Sequence, residues 1–285
     1  MRRSGRNSVA APGIVGIIGL GLVGRAIAAR LEAAGFSLVG YDVDPQALAS
    51  FTGEKAASPE AVAEKARRIV LAVYDTPDVE RVTAQARPGL FIDCTTGDPA
   101  RIEALGKKLA AQGIGYVEAP LSGSSQAIAK GEAAMFVGGD ASGCEDILAA
   151  ISSQRHAVGA VGMAARAKLA TNLVLGLNRA ALAEGMAFAE TLGIGRAAFL
   201  AIVSKSPAAS PAALTKGQKM SVADWAPESR IRQHLKDVGH MLAAAREADF
   251  RLPLTEAHSK LLEEAVAAGD GDLDNAAIIR RWERP

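Results

Sequence analysis

Between Gly13 and Val158 the chain alternates short apolar runs with longer stretches whose apolar residues recur three or four positions apart. The short runs predict strands at Ile14–Ile18, Ser37–Tyr41, Arg68–Val73, Leu90–Asp93, Gly115–Glu118, Ala133–Val137 and Arg155–Val158. Between them, Leu22–Ala34, Pro59–Ala66 and Pro99–Gln112 carry helical spacing. Strands that alternate with helices call for a parallel sheet covered on both faces. The rhythm changes near Gly159. Ala164–Thr191 reads as one long helix closed by Gly193, and Ala197–Ser204, Ala212–Met220, Ser229–Ala248 and Thr255–Ala268 read as helices too. Pro207, Pro211 and Pro253 mark breaks among them. The pattern predicts an α/β domain over residues 13–162 and an all-α domain over 163–285, preceded by a disordered tail at 1–12.

Composition narrows the class. At 285 residues, with 49% hydrophobic and 22% charged positions, the chain can bury a sizeable core. A formal charge of +1 leaves no excess for a polyanion, and basic residues gather only at Arg2, Arg3 and Arg6, so no nucleic-acid partner is expected. Cys94 and Cys144 are the only cysteines and form no CxxC or Cys/His cluster. No metal site is expected, and the usage suits a reducing compartment, the cytoplasm. No apolar run approaches the ~18–20 residues needed to span a bilayer, so no membrane partner is expected.

Gly19-Leu20-Gly21-Leu22-Val23-Gly24 follows the first strand and opens a helix. In such a turn the first glycine permits the bend, the second admits a pyrophosphate, and the third lets helix and strand pack. The helix N-terminus adds free N–H groups and its positive dipole end. Asp42 lies at the end of the second strand, where a carboxylate accepts from ribose hydroxyls and repels a 2′-phosphate. No arginine in Asp42-Val43-Asp44-Pro45 offers that phosphate a cation, so NAD is expected over NADP. Asp44 before Pro45 also reads as a helix N-cap. The first domain is thus expected to be a Rossmann-type dinucleotide-binding domain.

Further motifs follow in order. Glu118-Ala119-Pro120-Leu121-Ser122-Gly123-Ser124 resembles the substrate-binding motif of the β-hydroxyacid dehydrogenase family, whose members act on 3-hydroxyisobutyrate, tartronate semialdehyde and threonate. Asp93-Cys94-Thr95-Thr96 is similar to that family's segment near the nicotinamide, Gly159-Ala160-Val161-Gly162 with Lys168 and Asn172 to its catalytic motif, and Lys236-Asp237 to its C-terminal pair. The resemblance implies a hydride transfer between NAD(P) and a small β-hydroxyacid. It implies proton transfer by Lys168 with Asn172 beside it, and carboxylate binding by Ser122, Gly123 and Ser124. It also implies cofactor contacts at Val73, Thr96 and Lys236. Lys168 and Asn172 are four apart, hence on one helical face. Ser122 and Gly123 follow a strand, where ligands gather at the carboxyl edge of a parallel sheet.

The sequence departs from the family at Val23, where methionine is usual, at Ser124 in place of a second glycine, and before Lys236, where Arg230 and Arg232 stand near an expected aromatic. The four histidines, His156, His234, His240 and His258, fall in no recognised motif and read as structural or exposed. Two other readings remain at this stage: an imine reductase, which shares the architecture but usually lacks the lysine, and a catalytically silent dinucleotide-binding scaffold. Exposed Ala/Leu helix faces suggest a homodimer or homotetramer.

Overall fold

The computed structural model describes residues 13–283, apart from the side chain of Ala212; the tail expected at 1–12 lies outside the described residues. The chain divides after Ala164 into two compact units.

In the first unit the strands are β1 (Ile14–Ile18), β2 (Ser37–Tyr41), β3 (Glu54–Lys55), β4 (Arg68–Leu71), β5 (Leu90–Asp93), β6 (Gly115–Glu118), β7 (Leu121–Ser122), β8 (Ala134–Gly138) and β9 (Gln154–Gly159). They form one sheet ordered β3-β2-β1-β4-β5-β6-β8-β7, with β9 also paired to β8. β1 to β6 run parallel, as the alternation with helices requires. The far end does not: β8 is antiparallel to β6 and β7. β6 and β7 follow one another along β8, with Glu118 opposite Gly138, Leu121 opposite Met135 and Ser122 opposite Ala134, and the chain then turns back over residues 123–133 to lay β8 antiparallel to both.

Helices α1 (Leu22–Ala33), α2 (Pro45–Ala49), α3 (Pro59–Lys65), α4 (Thr76–Gln85), α5 (Pro99–Ala110), α6 (Ser125–Ala129) and α7 (Glu145–Ile151) complete the unit. Successive side chains of a strand point to opposite faces. Val70, Ile92 and Val117 accordingly pack with Ile27 and Leu31 of α1 and Ile147 of α7. Their neighbours Ile69, Phe91 and Tyr116 pack on the other face with Val62, Val79 and Ile102 of α3, α4 and α5. Asp44, Ser58, Asp75, Asp98 and Ser124 each cap a helix with the side chain, four of them before a proline in the first turn. The strand expected to reach Val73 ends at Leu71, because the chain leaves the sheet to begin α4 at its Asp75 cap.

The second unit is helical. The helix α8 (Met163–Thr191) leads into it, followed by α9 (Arg196–Val203), α10 (Pro211–Ser221), α11 (Ile231–Glu247), α12 (Pro253–Ala267) and two 3₁₀ segments, Asp270–Asp272 and Asn275–Trp282. Leu182, Met186, Val238, Met241 and Leu262 form its core. The last 3₁₀ segment, which helical spacing did not reveal, buries Ala276, Ala277, Ile278 and Ile279 in that core. Among the described residues no helix is long and apolar enough to cross a membrane.

Candidate active site

The parallel strands end level with one another. Ile18 is in register with Tyr41 and Leu71, Leu71 with Asp93, and Asp93 with Glu118. The glycine turn, Asp42, Val73, Thr96 and the segment entering Ser122 therefore all leave the same edge of the sheet. Gly19 has a φ of 92°, and a Cβ there would lie 2.3 Å from the Ala72 carbonyl oxygen. A Cβ on Gly24 would lie 1.8 Å from the Gly19 oxygen, so the helix start could not close on the strand. Gly21 is different: nothing lies within 4 Å of its would-be Cβ, and that open space is where a phosphate would approach. No side chain caps α1 and no acid sits in its first turn, although five later helices of the unit have caps. An uncapped helix start beside an open glycine fits a dinucleotide pyrophosphate.

Asp42 makes two backbone contacts that the sequence did not reveal. Its Oδ2 accepts the Leu20 N–H at 2.5 Å and its Oδ1 accepts the Asp44 N–H at 2.8 Å. The carboxylate thus fastens the glycine turn to the end of β2 while staying partly exposed, with lone pairs left for a ribose. Leu20 is buried, and its N–H is committed to Asp42. Leu22 is half-buried and Val23 exposed at the start of α1.

The Val73 N–H donates to Thr95 Oγ1 at 3.3 Å, which ties the ends of β4 and β5 together. Thr95 N–H donates to Asp93 Oδ1, and the Tyr116 hydroxyl donates to Asp93 Oδ2. Asp93 is buried, and burial followed by its charge raises the Tyr116 phenol well above its usual range. This network fixes the turn carrying Thr96, which is half-buried. Ser122 ends β7 half-exposed, and Gly123 adopts a φ of 156°. Ser124 Oγ accepts the Ala127 N–H as the cap of α6, so the hydroxyl that departs from the family pattern is held by the helix it opens.

In the helical unit, Lys168 and Asn172 meet. The Lys168 ammonium, 6% exposed, donates to Asn172 Oδ1 at 2.8 Å. Asn172 Nδ2 donates to Asp237 Oδ2 at 3.2 Å, which orients the amide so that its oxygen faces the lysine. Lys236 Nζ lies 3.3 Å from Asp237 Oδ1. Burial lowers the Lys168 pKa from 10.5 to about 8, against the pull of Asp237 and with the help of Lys236. An amine balanced near neutrality can both give and take a proton. Asp237 was absent from the expected site set, although it stands beside Lys236 in the Lys-Asp pair.

Other polar groups lie deeper in this unit. His234 of α11 and His258 of α12 are buried with their Nε2 atoms 3.1 Å apart. Burial and then the charge of Arg179 push His258 down to about 4 and His234 well below 6.5, so both are neutral near pH 7. Of the two arginines near the missing aromatic, Arg232 is exposed and forms a two-point pair with Asp272, while Arg230 is exposed at the start of α11.

Residues 14–162 match the model of the NAD binding domain of 6-phosphogluconate dehydrogenase, and residues 162–282 match the NAD-binding domain model of NADP-dependent 3-hydroxyisobutyrate dehydrogenase. The chain is 32% identical to an L-threonate dehydrogenase of Cupriavidus necator, over 93% of this chain and 95% of that one. It is 26% identical to the 2-hydroxy-3-oxopropionate reductase of Escherichia coli, over 94% and 97%. A crystal structure of a 3-hydroxyisobutyrate dehydrogenase from Salmonella typhimurium superposes with a TM-score of 0.85 at 27% identity, covering 94% of this chain and 99% of that one.

Proposed function

Since the chain belongs to the β-hydroxyacid dehydrogenase family and is an NAD(P)-dependent hydroxyacid dehydrogenase, we propose that it oxidises or forms a small β-hydroxyacid with NAD, using Lys168 for the proton. The observation that carries this reading is the buried Lys168–Asn172 pair with its pKa near 8. The nicotinamide, when bound, supplies or accepts the hydride. Neutral Lys168 takes the hydroxyl proton as the alcohol is oxidised, and its ammonium returns a proton to the carbonyl oxygen in reduction. Asn172 holds the amine through Oδ1, and Asp237 holds Asn172.

Ser122, with the backbone at Gly123 and Ser124, receives the substrate carboxylate; the hydroxyl and adjacent N–H groups supply donors suited to it. Gly19 to Gly24 receive the pyrophosphate, Asp42 the adenosine ribose, and Val73, Thr96 and Lys236 the nicotinamide end. The free Asp42 lone pairs and the lack of a cation in the Val43–Pro45 turn favour NAD over NADP. Exposed Val174, Phe188, Leu192 and Ile202 on α8, the turn after it and α9 favour a homodimer or homotetramer. Two free buried cysteines suit the cytoplasm.

The test is NAD and NADP reduction with a panel of 3-hydroxyacids, threonate included, followed by absorbance of the reduced nicotinamide. Turnover of at least one acid, with NAD preferred, is the expected result. Failure on every acid, with turnover of cyclic imines instead, would replace this reading with imine reduction.

A further inference from the structure

We propose that Glu118 is a positioning residue for proton transfer, its carboxylate fixing the start of the helix that carries Lys168. The inference rests on the reading of Lys168 as the proton-transfer residue. Glu118 ends β6 and is 2% exposed. Its Oε2 accepts the N–H groups of Gly162, at 2.5 Å, and of Ala164, at 3.3 Å. These are the backbone donors at the origin of α8, six and four residues before Lys168.

Such a cap is unlike its neighbours. Five helices of the same unit are closed by their own N-cap aspartate or serine, two or three residues from the donors served. Gly162 has no side chain to do this for α8, and the acceptor comes from 44 residues away. A carboxylate suits the positive end of a helix, but burying one is costly when a serine would close the turn. What the remote carboxylate adds is a tie between the helix origin and β6, the strand that leads through Ala119 and Pro120 into Ser122. Gly138, the register partner of Glu118, keeps the space for it: a Cβ there would lie 2.8 Å from Glu118 Oε2 and 3.0 Å from the Ala160 oxygen. Gly138 has no left-handed backbone, so alanine there would act through crowding rather than through strain.

A lysine held about 9 Å along a helix from its origin moves with any tilt of that origin, and a displacement of about 1 Å at a reacting group can lower turnover on the order of a hundredfold. The test is kcat and the KM for NAD in Glu118→Ala, Glu118→Gln, Gly138→Ala and Lys168→Ala, with the best 3-hydroxyacid of the panel as substrate. Glu118→Ala is expected to lower kcat about 10- to 100-fold while leaving the KM for NAD within about twofold. Glu118→Gln, whose amide oxygen can accept both N–H groups, is expected to restore most of the turnover. Gly138→Ala is expected to lower kcat in the same direction with the KM for NAD unmoved. Wild-type kcat in Glu118→Ala beside an inactive Lys168→Ala overturns the proposal and leaves the lysine reading standing. An active Lys168→Ala removes the reading beneath it. Equal losses in the Ala and Gln variants overturn the hydrogen-bond account. If Glu118→Ala does not fold, a Gly138→Ala protein with wild-type kcat overturns the proposal, and one with lowered kcat alone supports it.

Discussion

Replacing Lys168 with methionine should remove activity and, at the same time, remove a pH-dependent cost to the fold. Burial lowers the pKa of this lysine from 10.5 to about 8. The unfolded chain therefore binds a proton between pH 8 and 10.5 that the folded protein does not hold, and stability rises with pH across that window. Below pH 8 both states are protonated and the full penalty of the buried ammonium is present. Between pH 7 and pH 9.5 this single group should add about 2 kcal/mol to the wild-type protein. Lys168→Met loses that gain, although it also leaves Asn172 Oδ1 without its donor. The measurement is urea denaturation at both pH values, followed by tryptophan fluorescence. The only two tryptophans, Trp225 and Trp282, both lie in the helical unit with Lys168, so the signal reports on the relevant part of the chain. The expected result is a wild-type stability that climbs relative to the variant by about 2 kcal/mol over this range. Parallel pH dependences in the two proteins would mean that Lys168 keeps an ordinary pKa, and the argument for its chemistry would lose its basis.

Asp42→Ser should raise the NADP/NAD ratio of kcat/KM by about tenfold or more, since a like charge facing the 2′-phosphate is gone. Part of that change should come as lost NAD efficiency, because the ribose hydroxyls lose their acceptor, whereas the lost Leu20 N–H bond should lower both cofactors alike; an unmoved ratio would make Asp42 a turn residue only. Ser122→Ala should raise the KM for the hydroxyacid more than it lowers kcat, because a bond to the carboxylate is present throughout the reaction. An unchanged KM across several acids would remove Ser122 from the site. His258→Gln should flatten the acid side of the stability profile. Folding holds this histidine neutral down to about pH 4, so its contribution is present above pH 6.5 and is lost as pH falls toward 4. Wild type should lose about 2 kcal/mol from this group between pH 7 and pH 5, measured by urea midpoints, and the variant should not.

Most of the fold could be read from the alternation of short and long periods, because β1, β2, β5 and β6 coincide with apolar runs bounded by polar or turn residues. The antiparallel end was not legible: a two-residue strand such as Leu121–Ser122 has no period to detect, and the reversal that makes β8 antiparallel lies in the connection over residues 123–133. Candidate site residues that belong to local motifs could be proposed from the sequence, among them the glycine turn, Asp42, Lys168 and Asn172. Those that act across long separations were not. Asp237 reaches Asn172 over 65 residues, Glu118 reaches Gly162 over 44, and His234 meets His258 over 24. A carboxylate at the end of a buried strand was the one signal that could have raised Asp93 and Glu118, since neither has water there to solvate it.

The central claim is that Lys168 carries the proton, and the pH dependence of kcat/KM for hydroxyacid oxidation, which reports the ionisation of the free enzyme, tests it most directly. Wild type should accelerate as pH rises through about 8, where the neutral amine becomes the main form and can accept the hydroxyl proton. Lys168→Ala should be slower by about 10² to 10⁴ and should lack that inflection. Its affinity for NAD, titrated separately, should stay close to that of wild type. A folded Lys168→Ala enzyme that keeps wild-type turnover, or one that keeps the inflection near pH 8, would contradict the account.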